Sequence, residues 1–287
     1  MPSHRIALVT ASAARDLDED LIPLESALRD AGAEVAVSAW DDASVDWSRF
    51  QLALLRSTWD YTQRLPEFLA WAERTATRTR LLNPLPAIRW NTDKHDLRDL
   101  DKAGVAIVPS AFVEPGEDAT AALAGFQHAH PTDEFVAKPA IGAGSRDAQR
   151  YHSSDRNDAI AHARRLLDAG RSVLLQPYLD RVDEHGETAL VFFDGEFSHA
   201  IRKGPLLRRG EGPTRALFAA EHITPRQPDA AELALAERTL AAIPFPQPLL
   251  YARVDLIHDA DGSPRVLELE LTEPSLVCAH AAGSAAR

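Results

Sequence analysis

Arg253-Val254-Asp255-Leu256 and Leu267-Glu268-Leu269-Glu270-Leu271, set either side of Asp259-Ala260-Asp261-Gly262, decide how this chain is read. Both stretches alternate apolar and charged residues with a period of two, which is the period of a β-strand. The Asp259 to Gly262 segment predicts a hairpin turn. With a four-residue loop, Asp255 pairs opposite Val266 and Arg253 opposite Glu268. Leu267, Leu269 and Leu271 then share one face, and Val266, Glu268 and Glu270 the other. One face thus gathers Arg253 with Asp255, Glu268 and Glu270, whereas a three-residue loop would turn Asp255 away. Carboxylates so close repel unless a positive charge lies between them. Oxygen-only ligands suit Mg²⁺ or Mn²⁺ rather than zinc. The competing reading is a solvated outer face of an amphipathic hairpin. Alternation in both strands at once favours the cation.

The remaining composition narrows the class of protein. A chain of 287 residues, 45% hydrophobic and 26% charged, buries a substantial core and is long for one compact domain. A formal net charge of −12 argues against a general nucleic-acid binder. The single cysteine, Cys278, excludes an internal disulfide and any paired-cysteine metal motif. Ile6-Ala7-Leu8-Val9 is too short for a signal segment or a membrane span, so a cytoplasmic location without membrane partners is expected.

Working back from the hairpin, Ile6 to Thr10, Glu34 to Ala39 and Gln51 to Leu55 read as strands, with a helix over Asp18 to Ala31 ended by Gly32. This start predicts an open α/β lobe, in which ligands sit beyond the carboxyl ends of the strands. Arg56, Ser57 and Asp60 follow such an end. Arg56 suits a substrate carboxylate and Asp60 an ammonium; the alternative is a strand-end cap packed by Trp59. Asn91 to Ala103 reads as a helix capped by Asn91 or Thr92, with Lys94 in its first turn. A cation there opposes the helix dipole unless a phosphate joins it.

Phe135 to Pro139 reads as a strand delivering Lys138 into Ala140-Ile141-Gly142-Ala143-Gly144-Ser145-Arg146. Small residues let backbone N–H groups approach an anion, and the lysine adds a point charge. The stretch is neither a Walker loop nor a Rossmann fingerprint. Asp155 to Ala169 reads as a helix and Ser172 to Leu175 as a strand, leaving through Gln176-Pro177-Tyr178-Leu179. Asp194-Gly195 predicts a two-residue hairpin loop that sets Glu187 opposite Arg202. Gly204 to Thr214, carrying Arg208 and Arg209, reads as a mobile basic loop. Ala230 to Ile243 reads as a helix.

Taken in order, Lys94, Lys138 with its glycine loop, Gln176-Pro177-Tyr178-Leu179, Arg253-x-Asp255 and Glu268-x-Glu270 resemble the ATP-grasp superfamily. The resemblance implies an α/β protein of α+β lobes with the ATP-grasp fold. Residues 1–90 would form an N-terminal open α/β lobe on the substrate side. Residues 91–178 would form a small central lobe, and 179–287 a C-terminal mixed α+β lobe carrying the metal site. ATP would lie between the last two lobes.

By position, the resemblance implies that Lys94 and Lys138 contact the ATP phosphates under a cover formed by Gly142, Gly144 and Ser145. Gln176, Pro177, Tyr178 and Leu179 would hold adenine and Asp183 the ribose. Lys203, or Arg202, would join the phosphate contacts. Asp255, Glu268 and Glu270 would bind two Mg²⁺ ions, replaceable by Mn²⁺, and Arg253 would stabilise an acyl phosphate. Where most of the superfamily has Asn as the last metal ligand this chain has Glu270, which keeps the oxygen and adds charge. Arg56-Ser57-Thr58-Trp59-Asp60-Tyr61 and Glu270-Leu271-Thr272-Glu273-Pro274-Ser275-Leu276 fit a cyclo-ligase branch. That branch implies a small amino-acid-like substrate, gripped by Arg56, Ser57, Asp60, Arg202 and Arg253 and closed into a ring. An intermolecular ligase, a non-catalytic ATP-binding protein and a homodimeric state all stay compatible with the same residues.

Overall fold

The computed structural model describes residues 4–208, 210, 212, 222–246 and 248–287. Arg209, with most of the expected Gly204 to Thr214 loop beyond it, lies outside the described residues. Among those described, the strands form three sheets. The first takes β1 (Arg5–Thr10), β2 (Glu34–Ala39), β3 (Leu52–Ser57) and β4 (Arg80–Leu82), all parallel, in the order β2-β1-β3-β4. Helices α1 (Leu21–Asp30) and α2 (Leu65–Ala76) make the crossovers that parallel strands require. The apolar strand interiors and the rings of Trp40, Trp47, Trp59, Tyr61, Phe68 and Trp71 share one core.

Helices α3 (Leu85–Asn91) and α4 (Asp96–Lys102) come next. The expected single helix over Asn91 to Ala103 is broken here, so Lys94 precedes α4 instead of occupying a first turn. The break has a local cause. Asn91 spends its amide on the Leu269 carbonyl, the Leu271 N–H and Asp96, and the Lys94 N–H donates to the Ala140 carbonyl, which draws the turn toward the glycine loop. Ala87, Leu97, Leu100, Val105 and Ile107 bury against the third sheet.

The second sheet, ordered β5-β8-β6-β7, comprises β5 (Ala111–Val113), β6 (Glu134–Pro139), β7 (Gln149–His152) and β8 (Val173–Pro177), all antiparallel. Helices α5 (Ala119–Ala129) and α6 (Arg156–Asp168) cover it through Leu123, Phe126, Ile160, Ala163 and Leu166. After α7 (Val182–His185) the chain builds the third sheet, ordered β11-β10-β9-β12-β13. Its strands are β9 (Glu187–Phe193), β10 (Glu196–Lys203), β11 (Ile223–Arg226), β12 (Tyr251–His258) and β13 (Pro264–Glu270), with α8 (Ala230–Ala241) packed on one face. Among the described residues no helix is long and apolar enough to cross a membrane.

Both hairpins depart from their expected register, each through a bulge. Asp194 and Gly195 take φ of 50° and 80°, as a type I′ turn demands. The pairing then shifts between Phe197 and His199, so Glu187 faces Lys203, and Arg202 faces Thr188. In the last hairpin His258 pairs Pro264, leaving a five-residue loop that would by itself turn Asp255 away from the glutamates. An extra residue, Leu267, restores the face: Leu256 pairs Val266, Asp255 pairs Glu268 and Arg253 pairs Glu270. Val266 therefore joins the buried core beside Leu269 and Leu271, while Leu267 lines a cavity. The two exchange the faces expected of them.

Candidate active site

A cavity of about 650 Å³ lies among the three sheets, and its wall is set by strand ends and turns. β12 and β13 present Arg253, Asp255, Glu268 and Glu270. β6 carries Lys138 next to its end, and the Lys138 Nζ donates to Glu268 Oε1 at 2.6 Å. Lys94 bonds the Gly142 carbonyl at 2.8 Å and stands 3.9 Å from Glu268. The Arg253 guanidinium grips Asp255 with two bonds of 2.8 Å and also reaches Glu270 and the Ser275 carbonyl. Lys203, on β10, joins Asp255 at 2.7 Å and Glu187 at 2.5 Å.

The electrostatics are those of a crowded, partly buried site. Burial raises the Asp255 pKa, but Arg253 and Lys203 outweigh it and hold the carboxyl well below its usual range. Glu268 is held at about 2 because Lys138 and Lys94 outweigh the effect of burial. Burial pushes Glu273 up to about 8, helped by Glu270, and pushes Asp96 up to about 8 against the pull of Asn91 and Lys94. Burial raises Glu270 too, although Arg253 opposes it, and raises Glu187 against the pull of Lys203. The cavity therefore holds more carboxylates than its lysines and arginine neutralise. Such a set fits a hard divalent cation held by oxygen ligands.

The glycine loop fits an anion. Gly142, Gly144 and Ser145 line the cavity, and the Ser145 hydroxyl oxygen is buried without a partner. Gln176, Pro177, Tyr178 and Leu179 form another wall at the end of β8, with Gln176 Nε2 donating to Ser110 at 3.0 Å.

Five expected site residues do not line the cavity. Arg56 is buried under it, 3.4 Å from Asp20 and 3.8 Å from Asp18, and donates to the Pro274 carbonyl. The Asp20 carboxylate in turn accepts from the N–H groups of Leu276, Val277 and Cys278 at 2.6, 3.0 and 2.8 Å. Arg56 thus clamps the C-terminal segment to the first sheet. Ser57 is bonded to Thr10 at 2.8 Å, and Asp60 to Trp40 and Arg64. Arg202 is turned out to the carbonyls of Glu184 and His185, a consequence of the bulge in β10. Asp183 lies beside the cavity, engaged by the Tyr178 hydroxyl at 2.5 Å and by Arg150 at 3.3 Å.

Several wall residues escaped the sequence reading: Asp96, Glu273 and the segment Asp18-Glu19-Asp20. The acidic run at 18–20 was a signal in principle, since acidic residues before a helix are ordinarily read as caps.

Residues 6–83 match the family model of the D-cycloserine synthetase DcsG N-terminal domain. The cycloserine biosynthesis protein DcsG of Streptomyces lavendulae is 46% identical over 275 residues, which is 94% of this chain and 92% of that protein. The crystal structure of D-cycloserine synthetase DcsG superposes with a TM-score of 0.92 at 43% identity, covering 98% of this chain and 96% of the other. The ATP-grasp ligase PsnB, solved with a phosphomimetic precursor, Mg and ADP, shares the fold at a TM-score of 0.64 and 19% identity, over 96% and 93% of the two chains. The 46% and 43% identities across nearly the whole of both chains place this protein in the D-cycloserine synthetase family of the ATP-grasp ligases.

Proposed function

We propose that the protein cyclises O-ureido-D-serine to D-cycloserine at the expense of ATP, through an acyl phosphate, with ADP and phosphate among the products. The observation that carries this reading is the convergence of Lys94, Lys138, Lys203 and Arg253 with three carboxylates on one buried wall. Residues of this kind are needed to move a phosphoryl group, because catalysis of that step is positioning and charge stabilisation. The donor set fits Mg²⁺ between Asp255, Glu268 and Glu270, which when bound would neutralise charge on the phosphate oxygens, and two ions are proposed.

In this scheme the substrate carboxylate attacks the γ-phosphorus and the bond to ADP breaks. Lys94 and Lys138 steady the triphosphate under the Gly142 to Ser145 loop, with Lys203 behind Asp255. Gln176 to Leu179 take the adenine and Asp183 the ribose. Arg253 holds the acyl phosphate oxygens while the ureido nitrogen bonded to oxygen in the same molecule attacks the acyl carbon and phosphate leaves; the carbamoyl group on that nitrogen is lost with water as carbon dioxide and ammonia. Because both reacting groups belong to one molecule, the cavity has to fold it into a near-attack geometry, and effective molarities of roughly 10⁵ M or more show how much such positioning supplies. Glu19 and Arg253 are the wall groups suited to the ammonium and carboxylate of a small amino acid. With its hydrophilic chain and ATP requirement, the enzyme is assigned to the cytoplasm in this proposal.

ADP release would be followed with and without O-ureido-D-serine, and the product identified by mass. Substrate-dependent release with a cyclic product is the expected result. Release that instead requires an added amine would make the enzyme an intermolecular ligase, and ATP binding with no turnover on any amino acid would sink the catalytic reading.

A further inference from the structure

On the face of the third sheet opposite Asp255, two imidazoles and a carboxylate meet. His258 follows Val254 and Leu256 at strand period on β12, Glu232 opens α8, and His185 closes α7. Glu232 Oε1 lies 3.6 Å from His258 Nε2 and 3.9 Å from His185 Nε2, and the three ligand atoms fall within 4.8 Å of one another. The two rings meet edge to face at 4.1 Å. Ligands at zinc-like bond lengths stand about 3.4 Å apart, so the trio is preset to within about 1.5 Å.

Two further facts point to a ligand. His185 Nε2 and His258 Nδ1 are buried without a hydrogen-bond partner, and His258 is only 3% exposed. Unpaired buried nitrogens are costly and uncommon, and a metal would take up the first of them. Glu232 is also held from behind: the Thr188 hydroxyl donates to Oε1 at 2.6 Å and the Asp229 N–H to Oε2 at 2.9 Å. Bonds of this kind orient a ligating carboxylate. Arg226, which bonds Thr188 at 2.7 Å, and Arg181 bring positive charge nearby, balanced by Glu232 and Asp229.

We propose that His185, Glu232 and His258 form a binding site for a borderline divalent cation of the Zn²⁺ class, separate from the carboxylate cluster in the cavity. Two nitrogens and one oxygen select such an ion over Mg²⁺. Its effect is architectural. Val182 of α7 lines the cavity just beyond the Gln176 to Leu179 wall, and a metal at His185 ties that short helix to β12 and α8.

The test uses the full chain without a histidine tag, stripped of metal and titrated with Co²⁺. One equivalent is expected to give the visible bands of a four- or five-coordinate nitrogen–oxygen site, and Zn²⁺ to displace it and raise the unfolding temperature. His185→Gln, at a half-exposed position where folding is secure, and Glu232→Gln should each weaken Co²⁺ binding by at least about tenfold. Glu268→Gln should leave those bands in place. Absence of the bands, or bands that survive His185→Gln and vanish in Glu268→Gln, would overturn the proposal by assigning the ion to the cavity carboxylates.

Discussion

Glu268 shows how one side chain carries the chemistry of the site, since it receives Lys138 at 2.6 Å and stands 3.9 Å from Lys94. Glu268→Gln keeps shape and oxygen but removes the charge that aligns both lysines. Turnover should fall by about 10² to 10³ with the fold intact, as for other lost electrostatic contacts in active sites; steady-state kinetics beside circular dichroism would check this, and normal turnover would mean the site is misplaced. Glu273 makes a different prediction. Its carboxyl titrates at about 8 in the folded protein against an ordinary 4.5. A raised carboxyl pKa contributes stability below the unfolded value and loses it as pH rises through the folded one, so the loss spans pH 4.5 to 8. Glu273→Gln should therefore lose less stability across that window, by up to a few kcal/mol at about 1.4 kcal/mol per unit. Urea unfolding at the two ends of the window decides it, equal losses in both proteins being the adverse result. Arg56 is the residue whose place the sequence left open. A strand-end arginine looks the same whether it aims into a cavity or beneath one, and its partners Asp18 and Asp20 become neighbours only in the folded chain.

Among the elements, the final hairpin was legible because alternation of charged and apolar residues is local. Its bulge was not, because the loop length and the extra Leu267 compensate each other and leave the charged face unchanged. The break between α3 and α4 was hidden for a similar reason: Asn91 reads as a cap, yet its amide is used on β13, far along the chain. Asn83, at the end of β4, works the same way. Fully buried, it donates to the carbonyls of Tyr251 and Leu271 at 2.9 and 2.7 Å and accepts from the Leu250 N–H at 3.0 Å, joining the first sheet to the third. Asn83→Ala should cost roughly 2 to 5 kcal/mol, because it leaves buried backbone groups unpaired. A loss under about 1 kcal/mol in urea unfolding would show that these groups find other partners.

For the whole molecule, the cavity takes its lining from the second and third sheets and from segments beside the first, at Leu17 to Asp20 and at Trp59 and Tyr61, so a ligand there should stabilise the protein as a unit. A non-hydrolysable ATP analogue with Mg²⁺, at a hundred times its dissociation constant, should add about 2.7 kcal/mol. Lys138→Ala should lose most of that gain at the same concentration, read as a shift in thermal unfolding; an undiminished shift would remove Lys138 from the nucleotide site. The sequence by itself determined the strands of the first lobe up to β3, strands β6 and β8, helices α1, α6 and α8, the acidic face of the last hairpin and the lysines that accompany it. These follow from periodicity and from residue type, which act over a few neighbours. Only the tertiary structure decided which charged groups share the cavity. Glu187, Glu273 and Asp96 joined it, while Arg56, Ser57, Asp60 and Arg202 were spent on the scaffold, because burial and ion pairing depend on which distant segments the fold brings together.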